Sequence, residues 1–206
     1  NSWNCWARDV TQEQILSSAR AMVEKGLADH GWSYINIDDG WQGRRGGRYN
    51  AIQPNKKFPD MAALTREIHD MGLRVGIYST PWIGTYAAHI GSYSDRPDGE
   101  NEWIEKGLHN ENYRYQKPGG NYWEDRCEVW HHGPYSFVEA DVKQWAEWGI
   151  DYLKYDWHPL NYYHVREMFD MLRKIDRDII FSLSNSAPYG DAPVWQRYAN
   201  CWRTTG

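Results

Sequence analysis

Asp156 closes the run Tyr152-Leu153-Lys154-Tyr155-Asp156, a short β-type pattern into which a lysine and a carboxylate intrude. Buried lysine is rare without a partner. Two residues apart on one strand, Lys154 and Asp156 share a face, and the lysine would help keep the aspartate ionised, as a carboxylate nucleophile must be. Other β-type runs end alike. Tyr34 to Ile37 leads into Asp38-Asp39-Gly40, Val75 to Ile77 into Tyr78, and Ile179 to Leu183 into Ser184-Asn185; a last run around Tyr198 to Arg203 ends on Arg203. In parallel barrels, polar residues at the carboxyl ends of strands face the active site, whereas a stability role would favour apolar residues there. These groups would converge on one small polar pocket.

Plainer readings exist for each. Asp-Gly is a strong turn signal by itself, and an ion pair with Asp156 or Asp38 would account for Lys154. Asp38, Asp39, Asp156 and His158 are also possible ligands for a divalent ion. No His-x-His or Glu-x-x-His spacing supports a metal, however, and a cationic Lys154 argues against one. His131-His132 reads as solvated or as a hydrogen-bond partner.

Helical patterns alternate with these runs, the signature of βα units and a parallel sheet. Thr11 and Gln14 read as a capping box, with Ile15, Ala19, Met22 and Val23 on one helical face. Asp60 caps a second helix through Met61, Leu64, Ile68 and Met71, stopped by Gly72. Ser136 with Glu139 reads as a further capping box, ahead of Val142, Trp145 and Trp148. Val165 to Ile175 supplies a fourth helix. The long Gly-, Asn- and aromatic-rich stretch from Thr80 to Pro134 follows a strand, so it would lie on the active-site face. Trp82, Trp103, Tyr122 and Trp123 are its candidates for shaping that face. Roughly four complete units fit, against the ~250 residues of a full (β/α)8 barrel. The expected fold class is therefore α/β, a TIM barrel present in part, about strands 1 to 6. A doubly wound sheet competes, but no Gly-rich phosphate fingerprint follows any strand.

Composition excludes some classes. The net charge of −5 over 206 residues leaves no basic footprint for nucleic acid. No apolar run is long enough to span a membrane. Thirteen Trp and fifteen Tyr against four Phe supply flat faces with polar handles, suited to sugars and equally to an aromatic-rich core. Cys5, Cys127 and Cys201 have no metal-ligand spacing, and their odd number leaves a thiol unpaired within the chain.

In order, Asn1-Ser2-Trp3-Asn4, Ile37 to Trp41, Lys57-Phe58-Pro59-Asp60-Met61, Gly76-Ile77-Tyr78, Leu153 to Asp156 and Cys201-Trp202-Arg203 resemble the barrel of glycoside hydrolase family 27, the melibiase-type α-galactosidases and α-N-acetylgalactosaminidases. The resemblance implies a retaining exo-glycosidase on terminal α-galactosyl units, with a carbohydrate substrate and no cofactor. It makes Asp156 the nucleophile that forms a glycosyl-enzyme intermediate. It gives Trp3 the sugar-packing face, Asp38 and Asp39 the 4- and 6-hydroxyls, and Tyr78, Lys154 and Arg203 further sugar contacts. It puts the acid/base aspartate just beyond Gly206, in a pattern like Arg-x-x-x-Asp, and the tail of a first strand at Asn1. The chain is then expected to be a segment of a longer enzyme, with more strands and a β-sandwich following.

Two departures bear on specificity and source. His158 and Ala199 stand where eukaryotic members carry cysteines, which points to a bacterial relative, secreted or periplasmic. Ser184 stands where α-galactosidases often show Cys-Glu-Trp, and looks more like the N-acetylgalactosaminidases. β-L-Arabinopyranosidases and isomalto-dextranase share the same nucleophile. A catalytically silent carbohydrate-binding barrel and a metal-dependent lyase or isomerase remain as alternatives from other classes.

Overall fold

The computed structural model describes residues 1–106, 128–184 and 186–204. Tyr122, Trp123, Cys127 and Asn185 lie outside the described residues.

A short helix, α1 (Trp3–Trp6), precedes α2 (Gln12–Glu24). The predicted capping box opens α2: the Gln14 amide donates to Thr11 Oγ1 at 3.3 Å and the Thr11 amide to Gln14 Oε1 at 2.9 Å, satisfying amides that a helix start leaves unpaired. Ile15, Leu16 and Ala19 are its buried face, whereas Val23 in the last turn is exposed. β1 (Tyr34–Asn36) follows.

The basic run Arg44 to Arg48 lies in an antiparallel hairpin of β2 (Gln42–Gly46) and β3 (Ala51–Pro54). Gly47 and Asn50 supply the positive φ, +67° and +55°, that turns its tip. Asp60 accepts from the Ala63 amide at 2.8 Å and starts α3 (Met61–Asp70), which leads to β4 (Arg74–Ser79).

Beyond β4 come β5 (Tyr93–Ser94), α4 (Glu102–Glu105), β6 (Tyr135–Ser136) and α5 (Val138–Trp148). Here the structure corrects the sequence reading. Ser136 sits in β6, paired with β5, and donates to Glu167 at 2.6 Å, while Glu139 pairs with Lys143. Phe137 occupies the N-cap without a side-chain bond. The remaining elements are β7 (Tyr152–Tyr155), α6 (Tyr162–Leu172), β8 (Ile180–Leu183), α7 (Ala192–Tyr198) and β9 (Cys201–Trp202).

Five strands, in the order β1-β4-β7-β8-β9, make one parallel sheet, a partial (β/α) barrel. Asn1 is not in a strand; the Ser2 amide bonds to the Asn36 carbonyl beside β1, and the chain turns into α1. Register sorts the side chains. Ile77, Leu153 and Phe181 align and are buried. On the opposite face Tyr78, Lys154 and Ser182 align. Gly76 allows that face to close up, since a Cβ there would lie 1.9 Å from Asn36 Oδ1 and 3.1 Å from the Tyr152 ring. The continuous apolar side is packed by helices, as a parallel sheet requires. The polar side carries the chemistry.

Candidate active site

Lys154 is the hub. Its Nζ lies 2.8 Å from Asp38 Oδ2, 3.5 Å from Asp156 Oδ2 and 5.1 Å from the centre of the Tyr78 ring. The sheet dictates this meeting: β4 lies between β1 and β7, so Lys154 meets Tyr78 on the adjacent strand and reaches past it to Asp38 beyond the end of β1. Asp38 accepts from the Asn1 side-chain amide at 2.5 Å, and its own amide donates to Ser2 Oγ at 2.9 Å. Adjacent Asp39 turns the other way, onto the loop after β4. It accepts from Thr85 Oγ1 at 2.7 Å and from the Ala87 amide at 2.8 Å.

Trp41 ties the two strand ends together, its indole N–H donating to the Tyr78 carbonyl at 2.9 Å. Trp3, Lys154, Ser184 and Arg203 line a cleft of about 350 Å3, with Asn1 and Trp202 among its other walls. Of the predicted site residues, Trp3, Lys154, Ser184 and Arg203 thus share this cleft, Asp38, Tyr78 and Asp156 gather around Lys154, and the Asp39 carboxylate faces the loop. Asn1, Ser2, Thr85 and Ala87 join them. Asn1 and Ser2 stand in a motif already singled out, whereas nothing local marks Thr85 or Ala87.

Burial governs the electrostatics. It raises the Asp39 carboxyl to about 7; the Thr85 and Ala87 hydrogen bonds oppose that rise, and the nearby Asp38 and Asp156 charges add to it. It also raises Asp156 above the usual carboxylate range, with Lys154 pulling in the opposite direction. The expected ionising effect of Lys154 is present, but burial outweighs it. Burial works to lower the Lys154 ammonium; Asp156 and Asp38 prevail, and the group lies above its ordinary value. Tyr78 is held far above its normal range by burial and then by the surrounding carboxylates, so it is a neutral phenol.

Two buried polar atoms of this cluster, Tyr78 OH and Asp156 Oδ1, have no hydrogen-bond partner among the described residues. Native proteins rarely leave such atoms unpaired, and each costs about 1–3 kcal/mol. Among the described residues no cluster of three or more His, Cys, Asp or Glu side chains is arranged to hold a metal ion, and no helix is long and apolar enough to cross a membrane.

Fold and pocket together define the class: a partial (β/α) barrel with polar groups gathered at the carboxyl ends of its strands. A family model described as alpha galactosidase A matches residues 3–103. The α-galactosidase A of Cellvibrio japonicus is 33% identical over all of this chain and 42% of its own length. The α-galactosidase of Coffea arabica is 30% identical, over the whole chain and 45% of its own. The crystal structure of α-galactosidase I from Mortierella vinacea superposes with a TM-score of 0.74 at 28% identity, covering the whole of this chain and 44% of that one. The chain spans about half the length of the curated relatives it matches, 47% and 42% in two of them. It belongs to glycoside hydrolase family 27, the melibiase-type family.

Proposed function

We propose that the full-length protein is a retaining exo-glycosidase that releases terminal α-D-galactosyl units, with Asp156 as its nucleophile. The observation that carries this is the pair of buried atoms without a hydrogen-bond partner among the described residues, Asp156 Oδ1 and Tyr78 OH, beside a cationic Lys154. A neutral phenol, an ammonium and carboxylates at one strand-end pocket offer donors and acceptors to a ring of hydroxyls. In this reading Asp156 attacks the anomeric carbon and the bond to the leaving-group oxygen breaks. A second carboxyl protonates that oxygen, then activates water to hydrolyse the glycosyl-enzyme ester. The second carboxyl is proposed to come from beyond residues 1–206, as an aspartate following Arg203, with the further barrel strands and a β-sandwich. Trp3 supplies a face for the sugar ring, while Asp38, Asp39, Lys154 and Arg203 bind hydroxyls. A secreted or periplasmic location belongs to the same reading.

Ser184 favours a related specificity as a second reading. It lines the cleft wall, and a small residue there leaves room for a bulkier 2-substituent such as N-acetyl. Assaying nitrophenyl α-galactoside against the α-N-acetylgalactosaminide and the β-L-arabinopyranoside discriminates. For the mechanism, Asp156→Ala in the full-length enzyme is expected to cut turnover by on the order of 10^4-fold or more, while sugar binding persists. Azide should then restore a product of inverted configuration. A near-wild-type rate in this variant would refute the nucleophile assignment. Wild-type protein that binds galactose without turnover would favour a silent binding barrel.

A further inference from the structure

The Asp39 carboxylate is held by a turn 46 residues further along the chain. Residues 84–90 fold back on themselves: Gly84 and Ile90 form an antiparallel bridge, and the Thr85 amide bonds to the His89 carbonyl at 2.8 Å. The Ala88 amide bonds to the Thr85 carbonyl at 2.9 Å, and Ala88 takes a left-handed φ of +60°. The base of the turn is fixed by backbone bonds from Ile83 to His131 and from Gly84 to Val129. Its tip delivers two donors to Asp39, one per oxygen.

The polarity of the Thr85 hydroxyl is set by a second bond. Its oxygen accepts the His89 amide at 3.0 Å, so its hydrogen is directed to Asp39 Oδ1. The Ala87 amide can only donate. Both oxygens of Asp39 are therefore claimed as acceptors, although burial and the charges of Asp38 and Asp156 drive a proton onto that carboxyl; Lys57 is the cation that also senses it. A carboxylate has about four acceptor positions, so two bonds from the turn leave acceptor capacity that the turn does not use.

We infer that Thr85 is a positioning residue: through its hydroxyl it fixes the orientation of Asp39 and keeps it an acceptor for a sugar hydroxyl. The inference rests on the glycosidase reading and deepens it, because it makes recognition of that hydroxyl depend on a residue outside the pocket.

The test uses the full-length enzyme and nitrophenyl α-galactoside. Thr85→Val keeps the shape and removes the donor. KM is expected to rise roughly tenfold with kcat changed far less, and the pH below which KM climbs should move upward. Thr85→Ser, which retains the hydroxyl, should restore both to near wild type. A purely structural Thr85 would lower the thermal midpoint without moving the pH profile, and that result overturns the inference, as does failure of Thr85→Ser to rescue. If Thr85→Val does not accumulate as folded protein, Thr85→Cys, with its weaker donor, carries the same comparison. Wild-type enzyme run alongside separates the two readings. An inactive wild type removes the glycosidase assignment and this inference with it, whereas an active wild type with an unaltered Thr85→Val removes the inference alone.

Discussion

Two buried charge clusters in this molecule have opposite characters. Arg45 in the hairpin and Asp141 in α5 are 2% and 0% exposed and meet through bonds of 2.7 and 3.2 Å. Arg45 also reaches the Gly91 carbonyl at 2.6 Å and lies 4.4 Å over the Phe137 ring, and Asp141 accepts the Ile52 amide at 2.9 Å. Both oxygens of this carboxylate are matched by donors, while Arg45 Nε has no partner among the described residues, and the pair clamps hairpin, loop and helix together. The Lys154 cluster is as charged, but its carboxylate is incomplete: the lysine is 18% exposed, and Asp156 Oδ1 and Tyr78 OH have no hydrogen-bond partner among the described residues. A cluster built for stability closes the hydrogen bonds of its carboxylate. One built to meet a ligand keeps some open, at a cost in stability.

That contrast can be broken by mutation. The largest effect is expected at the closed pair: Arg45→Ala or Asp141→Ala should cost about 3–5 kcal/mol in a denaturant titration, since each strands a buried charge. Asp156→Ala in the same titration should leave stability unchanged or raise it. A reversal of these two results would mean that the assignment of roles is wrong.

Next comes Lys154→Met, read by pH. Burial raises Asp156 in the folded protein and Lys154 opposes that rise. Without the lysine, the carboxyl should rise further, shifting the acid limb of kcat/KM to higher pH. A carboxyl raised on folding binds its proton more tightly in the native state. Its contribution is therefore favourable at acid pH and is lost as pH climbs from the unfolded value through the folded one. In Lys154→Met that loss should extend to higher pH, visible in unfolding midpoints collected across the acid-to-neutral range. Identical pH profiles for both proteins would show that the lysine does not act on Asp156.

The smallest effect probes stored strain. Ala88 holds its positive φ beside the site, and Ala88→Gly should stabilise by up to about 1 kcal/mol, relief of strain exceeding the added chain entropy. A clear loss of thermal midpoint would show that the methyl packing matters more.

The strand ends were legible because a carboxylate or lysine interrupts an alternating apolar run, and burial makes such interruptions expensive. Helix starts at Thr11 and Asp60 were legible because capping is local chemistry. Ser136 misled for the same reason: its spacing to Glu139 imitates a cap, while its partner is Glu167, 31 residues away. Nothing local marks Arg45 as buried, since its acceptor lies 96 residues downstream. Thr85 sits among residues of no periodicity and earns its role only through a tertiary contact. α7, a seven-residue helix with Pro at its start, is too short to show a period. Local grammar reached the strand ends, and long-range pairing supplied their supports.

Trp41 gives the molecule a resident signal. Its indole N–H joins the chain that follows β1 to the end of β4, bonded to the Tyr78 carbonyl and wholly shielded from solvent. It is one of thirteen tryptophans, so its fluorescence would be lost in the sum, but its indole proton is a single resonance protected from exchange. Any ligand that tightens or spreads those two strand ends must alter that bond and shift that resonance, with no label attached and no turnover required.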